Sequence, residues 1–312
     1  MAVSVPVNQP VAAADDIQYT KNTVWRRFRK HKLAMAGCVV LACLILAAAL
    51  AKFITPFDPN AIDNTWWKGY PVPPCFQDAA HCGSHILGTD ENGRDLLSRL
   101  IYGAQISLTV GVFAVLMEIV IGTVLGAVSG YYGGWIDWLV MRVTDVFLSI
   151  PLLPLLLVLT AIVAASSSKA SLSFGVIVLI IGGLSWPGVA RLVRASFLSL
   201  REREYTEAAR ALGNNDGRII FRHLLPNAVA PIIVQATLDV ASVIITESTL
   251  SYLGFGIQPP TASWGNMLAN AQAYFETAWW VAVLPGLCIL LTVLAINYIG
   301  DGLRDALDPN MR

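Results

Sequence analysis

The sequence predicts an all-α integral membrane protein with six transmembrane helices, and three observations lead to this fold class. Of 312 residues, 55% are hydrophobic and only 13% are charged, which leaves too little polar surface for a water-soluble protein of this size. Six stretches are apolar over the roughly 20 residues that a helix needs to cross a bilayer. Basic residues concentrate on alternate connecting segments. The predicted spans are Leu33–Ile54, Ile106–Tyr131, Leu139–Ala165, Phe174–Ala190, Ala228–Leu253 and Trp279–Ile299.

The distribution of Lys and Arg predicts that both termini lie in the cytosol, because basic flanks resist translocation. A basic cluster between Trp25 and Lys32 precedes the first span, and with six spans 16 of the 21 basic residues fall on the side of this cluster. The predicted organisation is a cytosolic segment 1–32, a first helix 33–54, an extracytoplasmic loop 55–105, a five-helix core 106–300 with a cytosolic loop 191–227, and a cytosolic tail 301–312.

Proline and glycine modify the predicted helices. A transmembrane helix tolerates proline because neighbouring groups can satisfy the freed carbonyls, so we expect kinks at Pro151, Pro154, Pro187, Pro231 and Pro285. Glycine at every fourth position leaves one helix face without side chains and permits close packing. Such a face is predicted in the second span and beyond it, at Gly122, Gly126, Gly130 and Gly134.

The cytosolic loop is predicted to contain two short helices separated by a turn. Good helix formers end at a glycine, which is followed by the turn-forming cluster Asn214–Gly217. Small residues in the first helix would let a partner surface approach closely, and charged residues surround them. A docking helix is therefore predicted, and a solvated connecting helix is the alternative. The residues concerned are Glu204, Tyr205, Glu207, Ala208, Ala209, Arg210, Ala211, Leu212 and Gly213.

The same loop resembles the EAA loop of ABC importer permeases, through Glu207-Ala208-Ala209, Gly213 and Leu225-Pro226. Three further stretches resemble the dipeptide, oligopeptide and nickel branch of that family, and they extend the resemblance over nearly the whole chain. They are 87–103, which contains LGTD and GRD; 250–265, which begins LSYLGFG; and 300–309, which begins GDGLRD. The chain departs from the family pattern at two positions. His223 stands where the EAA pattern usually has Ile, and Gln105 stands where the family commonly has Arg.

The resemblance implies a type I ABC importer (MetI-like) permease fold and ATP-driven import of dipeptides or oligopeptides. It implies that the chain forms half of a translocation pathway with a homologous six-span permease, in contact with lipid in a bacterial plasma membrane. One or two ABC ATPases would bind the EAA loop, and an extracytoplasmic binding protein would deliver the substrate. ATP and Mg²⁺ would be held by the ATPases; this chain would be non-catalytic and bind no cofactor, metal or nucleic acid. The sequence lacks G-x-x-x-x-G-K-[ST], the loop that cradles ATP phosphates.

Acidic residues inside predicted spans are candidates for function, because an ionised carboxylate in hydrocarbon is costly and usually faces a bundle interior or a water cavity. Glu118, Asp239 and Glu247 are candidates for lining the translocation path. The alternative is a structural role, in which each pairs with Arg142, a hydroxyl or a backbone amide. For Asp145 we expect the structural role.

The extracytoplasmic loop contains Cys75 and Cys82, with His81 and His85 nearby. Their short separation in an oxidising compartment favours a disulfide or two free thiols. A metal site is the less favoured alternative, because the spacing matches no usual zinc pattern. The loop also carries a possible docking surface for a binding protein, formed by Trp66, Trp67, Asp58, Asp63, Asp78, Asp90 and Glu91; the tryptophans alternatively anchor the loop at the membrane interface.

The residues alone leave two other function classes as alternatives. A secondary transporter would use the intramembrane acids to couple ion movement and would need no ATPase. A membrane-embedded hydrolase would use the S-x-x-K spacing of Ser166 and Lys169. The second is disfavoured because no S-D-N or K-T-G sequence accompanies the serine.

Overall fold

The computed structural model describes residues 21–65, 69–77, 85–166, 173–269 and 271–307. These residues are mainly helical, and their extended contacts are two isolated antiparallel bridges, Ile62 with Arg94 and Thr89 with Asp95. The α-helices are α1 (Lys21–Lys30), α2 (Lys32–Ala49), α3 (Ala51–Ile54), α4 (Leu96–Tyr132), α5 (Gly134–Ser149), α6 (Leu152–Ser166), α7 (Phe174–Ser185), α8 (Pro187–Arg201), α9 (Glu204–Ala211), α10 (Asp216–Ile219), α11 (Leu225–Tyr252), α12 (Trp264–Ala269) and α13 (Trp280–Leu307). A π-helical turn, Ile220–Leu224, joins α10 to α11, and a 3₁₀ turn, Ala271–Tyr274, follows α12.

Within the described residues, four helices are long and apolar enough to cross a membrane without a break: α2, α4, α13, and the continuous helix from Asp216 to Tyr252. Two further pairs reach that length only when taken together. Helices α5 and α6 meet at 85°, and α7 and α8 meet at 43°. The structure therefore provides four spans, or up to six if each bent pair is one span.

Proline accounts for the position of the two bends but does not break every helix. Pro151 lies in the gap between α5 and α6, and Pro187 begins α8, where its fixed φ and missing N–H suit a first helical position. Pro231 and Pro285 instead lie inside the unbroken helices α11 and α13, where the expected kinks do not interrupt the helix.

Helix α4 lies at the centre of the bundle, and its glycine face packs against α8. A Cβ at Gly126 would lie 2.5 Å from the carbonyl oxygen of Ala190, and the same close approach occurs at Gly122 and Gly130. The predicted packing face therefore exists at these three positions. Gly134 does not belong to it, because it begins α5 with φ +56° and nothing lies within 4 Å of its added Cβ.

Several helix boundaries differ from those expected from hydropathy. Helix α4 begins at Leu96 rather than Ile106, because its first turn contains the polar residues Ser98 and Arg99, which are buried by a loop rather than by lipid. Helix α8 continues to Arg201, so the first part of the predicted loop 191–227 is an extension of that helix. Before the first span, α1 packs its Phe28 ring near Gly302 of α13.

The bundle has two distinct ends. The loop end is formed by the described residues 55–65, 69–77, 85–95, 253–269 and 271–279, from which α4 and α13 both begin. The coupling end is formed by residues 201–224, beyond the end of α8. The side chains of His31 and Asp305 approach to 3.8 Å, so the start of α2 and the end of α13 lie together.

Candidate functional site

The coupling end contains the short helix α9, which ends just before Gly213. Helix α9 is followed by Gly213 with φ +75°, a left-handed conformation that glycine adopts without steric cost. The backbone and side-chain amides of Asn214 then both donate to the carbonyl of Ala209, at 3.2 and 2.9 Å. Asn215 caps α10 by accepting a 2.8 Å hydrogen bond from the Arg218 amide. The predicted first short helix and turn are therefore present, whereas the second helix is not a separate short one, because it continues through the π-helical turn into α11.

The inner face of α9 is held against its own chain. Thr206 is buried and donates a 2.9 Å hydrogen bond to the Leu200 carbonyl. Ala209 is 5% exposed and packs in a core that includes Phe197 and Ile219. The side chain of Ala209 is therefore covered by α8 and α10 of its own chain, and its contact with a partner surface stays a prediction.

Two hydrogen-bonding groups join the coupling end to α4. The Tyr131 hydroxyl donates a 2.7 Å hydrogen bond to the Asp216 carboxylate. The Arg201 guanidinium donates to the carbonyl of Gly130 at 3.2 Å. The loop is therefore attached to the last turn of α4 by these two contacts.

The outward side of the loop carries exposed apolar side chains among charged ones. Leu212 is 83% exposed and Tyr205 40% exposed. We call this surface the coupling face; its exposed members are Glu204, Tyr205, Glu207, Ala208, Arg210, Ala211, Leu212 and Gly213. Phe221, in the π-helical turn, is 72% exposed and was not predicted. The sequence gives no signal that singles it out, because the apolar residues Ile219, Ile220, Leu224 and Leu225 flank it.

A second candidate site is a cavity of about 370 Å³ beside the two helix bends. It has acidic groups and hydroxyls among apolar residues, and we call it the central cavity. Its lining residues are Glu118, Phe147, Leu148, Ile150, Pro151, Leu152, Leu184, Ser185, Pro187, Asp239, Ser242, Val243 and Thr246.

Two of the three predicted path residues lie together in this cavity. Glu118 is 4% exposed. Asp239 accepts a 2.8 Å hydrogen bond from the Gln235 side chain through Oδ1. The two carboxyl groups also share a side-chain hydrogen bond with each other, which requires that one of them carries the proton.

Glu247 lies elsewhere and is fully buried. Its carboxylate accepts hydrogen bonds from Ser251 at 2.7 Å and from Ser107 at 3.4 Å. Ser107 also accepts from the Trp264 amide at 3.3 Å. Glu247 thus joins α4, α11 and the start of α12, and it does not line the central cavity.

Asp145 has an ion-pair partner other than the one considered from the sequence. It pairs with Arg191 of α8 at 2.5 Å. Arg142 instead lies over the Trp138 ring, 5.6 Å from its centroid. A structural contact between α5 and α8 is therefore present at Asp145.

At the loop end, a histidine is enclosed by two carboxylates. His85 is 1% exposed; its Nδ1 lies 2.9 Å from Asp95 and its Nε2 lies 3.2 Å from Asp63. The hydrogen bond with Asp95, followed by that with Asp63, raises the pKa of His85. The backbone amide of Thr65 is the main cause that lowers the pKa of Asp63. Because both imidazole nitrogens contact carboxylates, we infer a structural role for His85 in the loop.

A second group at the loop end pairs Asp90 with two arginines. Arg94 donates to Asp90 at 2.7 Å, and Arg99 lies 3.2 Å from the same carboxylate. Arg99 also donates to the Pro59 carbonyl at 3.1 Å. Asp90 is 3% exposed. The expectation that Asp90 belongs to a docking surface is therefore wrong, because internal arginines occupy its carboxylate.

The remaining predictions for this loop fall partly outside the described residues. Cys75 is disulfide-bonded, but Cys82 lies outside the described residues, so their pairing stays a prediction. The described cysteines that remain free are Cys38, Cys43 and Cys288. Also outside are Trp66, Trp67, Asp78, His81 and Lys169, together with the side chain of Ser166. In the described part of the chain, no group of three or more His, Cys, Asp or Glu side chains is arranged to hold a metal ion.

Gln105, which stands where the resembled family commonly has arginine, has a defined contact. Its side-chain amide donates a 2.6 Å hydrogen bond to the carbonyl of Ala48, near the end of α2. Gln105 therefore fixes the first span against α4.

Comparison with known proteins identifies two family models in the chain. Residues 122–312 match the binding-protein-dependent transport system inner membrane component, and residues 22–74 match the N-terminal TM domain of oligopeptide transport permease C. The first match contains α8, α9 and α11, and hence both the coupling face and Asp239.

Similar curated proteins cover almost the full length. The chain is 40% identical to the dipeptide transport system permease protein DppC of Alkalihalophilus pseudofirmus, over 97% of this chain and 96% of that protein. It is 40% identical to the di/tripeptide transport system permease protein DppC of Pseudomonas aeruginosa, over 92% and 91%. It is also 40% identical to the glutathione transport system permease protein GsiD of Escherichia coli, over 97% and 95%.

Among solved structures, the chain resembles inward-facing conformations of the MetNI methionine ABC transporter. One such structure gives a TM-score of 0.54 at 21% identity, over 68% of this chain and 98% of that chain. Another gives 0.53 at 19% identity, over 67% and 97%. At these identities the likeness is one of fold: an all-helical, MetI-like membrane permease.

Proposed function

This chain belongs to the family of binding-protein-dependent transport system inner membrane components, and we propose that it is the permease subunit of an ATP-driven importer for dipeptides or oligopeptides. Its relatives at 40% identity are named for dipeptides, di/tripeptides and glutathione, all of which are short peptides with a free amino group. The chain is the non-catalytic membrane component, and ATP hydrolysis belongs to partner subunits.

The observation that carries the proposal is the coupling face. Exposed large apolar residues such as Leu212 and Tyr205, surrounded by charged residues, are typical of an interaction site. The loop beneath them is fixed by Thr206 and Asp216 to α8 and α4. An ATPase that binds this face can therefore move the helices of the pathway rather than merely deform a loose loop.

In the proposed assembly, the chain has six spans in a bacterial plasma membrane with both termini in the cytosol. A homologous six-span permease completes the pathway, and the central cavity faces it. One or two ATPases bind the coupling end, and an extracytoplasmic binding protein docks at the loop end. The basic residues of the N-terminal segment and of 191–222 support this orientation.

The coupling face is tested by a charged substitution at its most exposed apolar residue. Leu212→Asp should leave the fold intact, since the side chain is 83% exposed, and should abolish co-purification of the ATPase with tagged chain in mild detergent. Tyr70→Asp is the matched control, because Tyr70 is 59% exposed at the loop end. Retention of the ATPase by Leu212→Asp, or its equal loss in both variants, would contradict the proposal.

The substrate class is tested separately by uptake. Proteoliposomes that contain the chain, its partner permease and the ATPases should accumulate labelled dipeptide when the binding protein and ATP are both supplied. Accumulation without ATP would indicate a secondary transporter instead.

A further inference from the structure

Helix α1 packs on the bundle through one side and exposes the other. Phe28, on the packed side, is 6% exposed and contacts Ala34 of α2. An added Cβ at Gly302 of α13 would lie 3.1 Å from the Phe28 ring, so the ring fits closely against that helix. The outer side of α1 is exposed and basic. It carries Arg26, Arg29 and Lys30.

These three cations have no counter-charge from the chain in the part of it that the structure describes. The sequence contains no Asp or Glu between positions 17 and 57. The ion pair at this end of the bundle joins His31 to Asp305 at 3.8 Å, and no described carboxylate pairs with Arg26, Arg29 or Lys30. Like charges at this density repel one another, so an anionic ligand at the outer side of α1 would lower their electrostatic energy.

An exposed tryptophan lies beside the cations. Trp25 is 57% exposed, and its ring stacks on that of Phe28 with centroids 6.1 Å apart and planes 18° apart. Because Phe28 is fixed in the bundle, the Trp25 ring is held in place. Tryptophan is enriched at membrane–water interfaces, where its ring sits at the level of the lipid headgroups. We call Trp25, Arg26, Arg29 and Lys30 the basic face of α1.

The start of the first span fixes how deep the basic face lies. Helix α1 ends at Lys30 and α2 begins at Lys32, with His31 in an extended conformation between them. Leu33 is 53% exposed and begins the apolar surface of the span. Three residues reach at most about 10 Å, so Lys30 lies at the layer of the lipid headgroups. A lipid therefore meets the basic face directly, whereas a soluble protein would have to reach it through that layer.

We propose that the basic face of α1 binds anionic phospholipid in the leaflet at the coupling end. Helix α13 begins at the loop end, and its last turn meets the start of α2 through Asp305 and His31, so α1 lies on the side of the coupling end. Basic segments next to a span are attracted to the negative surface of an anionic leaflet. The cations bind the lipid phosphates, and the Trp25 ring enters the headgroup layer between them. The proposal does not depend on which substrate the importer carries.

Native mass spectrometry of the full chain in mild detergent tests the proposal, because it resolves individual bound lipids. The chain is mixed with phosphatidylglycerol, which has a net negative charge, or with phosphatidylcholine of the same acyl chains, which has none. Wild type should bind its first phosphatidylglycerol at least about 10-fold more tightly than its first phosphatidylcholine, since each cation near an anionic surface contributes about fivefold. R26Q/R29Q/K30Q should reduce this preference to about threefold or less, and R26K/R29K/K30R, which preserves the charges, should keep it.

A second triple variant controls for the change in net charge. K52Q/R142Q/R222Q removes three exposed cations from other parts of the chain and leaves the basic face intact. It should keep the preference of wild type for phosphatidylglycerol.

The other outcomes overturn the inference. Equal binding of the two lipids to wild type, an unchanged preference in R26Q/R29Q/K30Q, or an equal loss in the control variant would show that the basic face does not select anionic lipid. The wild-type comparison holds even if a variant fails to fold. If wild type shows no lipid preference and R26Q/R29Q/K30Q instead loses a protein subunit from the purified complex, the basic face binds a protein and the proposal is wrong.

Discussion

The hydroxyl of Tyr131 donates a 2.7 Å hydrogen bond to the carboxylate of Asp216, and this contact connects the coupling end to the central cavity through one helix. Helix α4 carries Glu118 in the cavity and Tyr131 in its last turn. At 1.5 Å per residue the two positions are about 20 Å apart along a continuous helix. Only helical residues of α4 separate the hydrogen bond at Tyr131 from Glu118.

Removing the Tyr131 hydroxyl should weaken this connection. Tyr131→Phe keeps the ring, which is 8% exposed, but loses a hydrogen bond to a carboxylate, worth about 1–2 kcal/mol. We expect the ATPase still to co-purify, with a fall of about two- to fivefold in peptide imported per ATP hydrolysed in proteoliposomes. Tyr132→Phe removes the hydroxyl of a residue that is 51% exposed and should leave the ratio unchanged. Equal ratios in both variants and wild type would argue against transmission through this contact.

The membrane class, the helix-rich bundle and the coupling loop were predictable because each depends on local sequence. Hydropathy detects apolar helices, and Gly213 with Asn214 marks the turn. The inward orientation of Ala209 was not predictable, since the face of an eight-residue helix that becomes buried depends on where α8 and α10 lie. Glu118 and Glu247 look alike in sequence, each an acid in an apolar span. Only the serines brought opposite Glu247 from α4 and α11 distinguish them.

The start of α4 was also not predictable, because it too depends on contacts with residues distant in sequence. Asp95 caps α4 by accepting a 2.8 Å hydrogen bond from the Ser98 amide, and Arg99 is 2% exposed. A hydropathy window excludes such residues from a span. Their burial depends on the loop end folding over them, which a local window cannot detect.

Close packing of α4 on α8 predicts intolerance of any side chain at Gly126. An added Cβ would lie 2.5 Å from a backbone oxygen of α8, so the helices would have to separate. We expect Gly126→Ala to destabilise the purified chain by about 1–3 kcal/mol, seen as a lower thermal transition in detergent. Gly188→Ala is the control, because nothing lies within 4 Å of its added Cβ. Similar transitions in the two variants would contradict this packing role.

The pairing of Asp90 with two arginines predicts a large effect from loss of its charge. Asp90→Asn would leave the buried Arg99 without its ion-pair partner and Arg94 with Glu91 at 3.7 Å, and breaking a buried pair in this way costs about 3–5 kcal/mol. We expect a marked fall in thermal stability of the purified chain. Asp58→Asn is isosteric and lies at an exposed site of the same loop, so it should change stability little. An unchanged thermal stability in Asp90→Asn would show that the arginines find other partners.

The enclosure of His85 by Asp63 and Asp95 predicts a pH dependence of the loop end. The pKa of His85 is raised in the folded state, chiefly by its hydrogen bond with Asp95. Its contribution is therefore fully present below the unfolded pKa of about 6.5 and is lost as pH rises through the raised folded pKa. The pKa of Asp63 is lowered, so its contribution persists above its unfolded value of about 3.9 and is constant in this range. The Phe57 ring, 4.8 Å away, does not titrate.

Hydrogen exchange measures this dependence directly. Protection of the amides at 88–96, corrected for the intrinsic exchange rate, should fall as the pH is raised above neutrality in wild type. In His85→Asn protection should be lower at acidic pH and independent of pH. A parallel pH profile in the two proteins would assign the effect to another group.

Adjacent alanines on α9 should respond differently to the same enlargement, because one faces the chain and the other faces outward. Ala209 is 5% exposed against Phe197 and Ile219, so Ala209→Leu overpacks that core and should cost about 1–3 kcal/mol in the isolated chain, before any ATPase is bound. Ala208 is exposed, so Ala208→Leu should leave the thermal transition of the isolated chain unchanged and weaken ATPase co-purification by obstructing the coupling face. Comparing both measurements for both variants separates folding from docking. The reverse pattern, with Ala208→Leu destabilising and Ala209→Leu affecting only ATPase binding, would mean that α9 is rotated relative to the face described above.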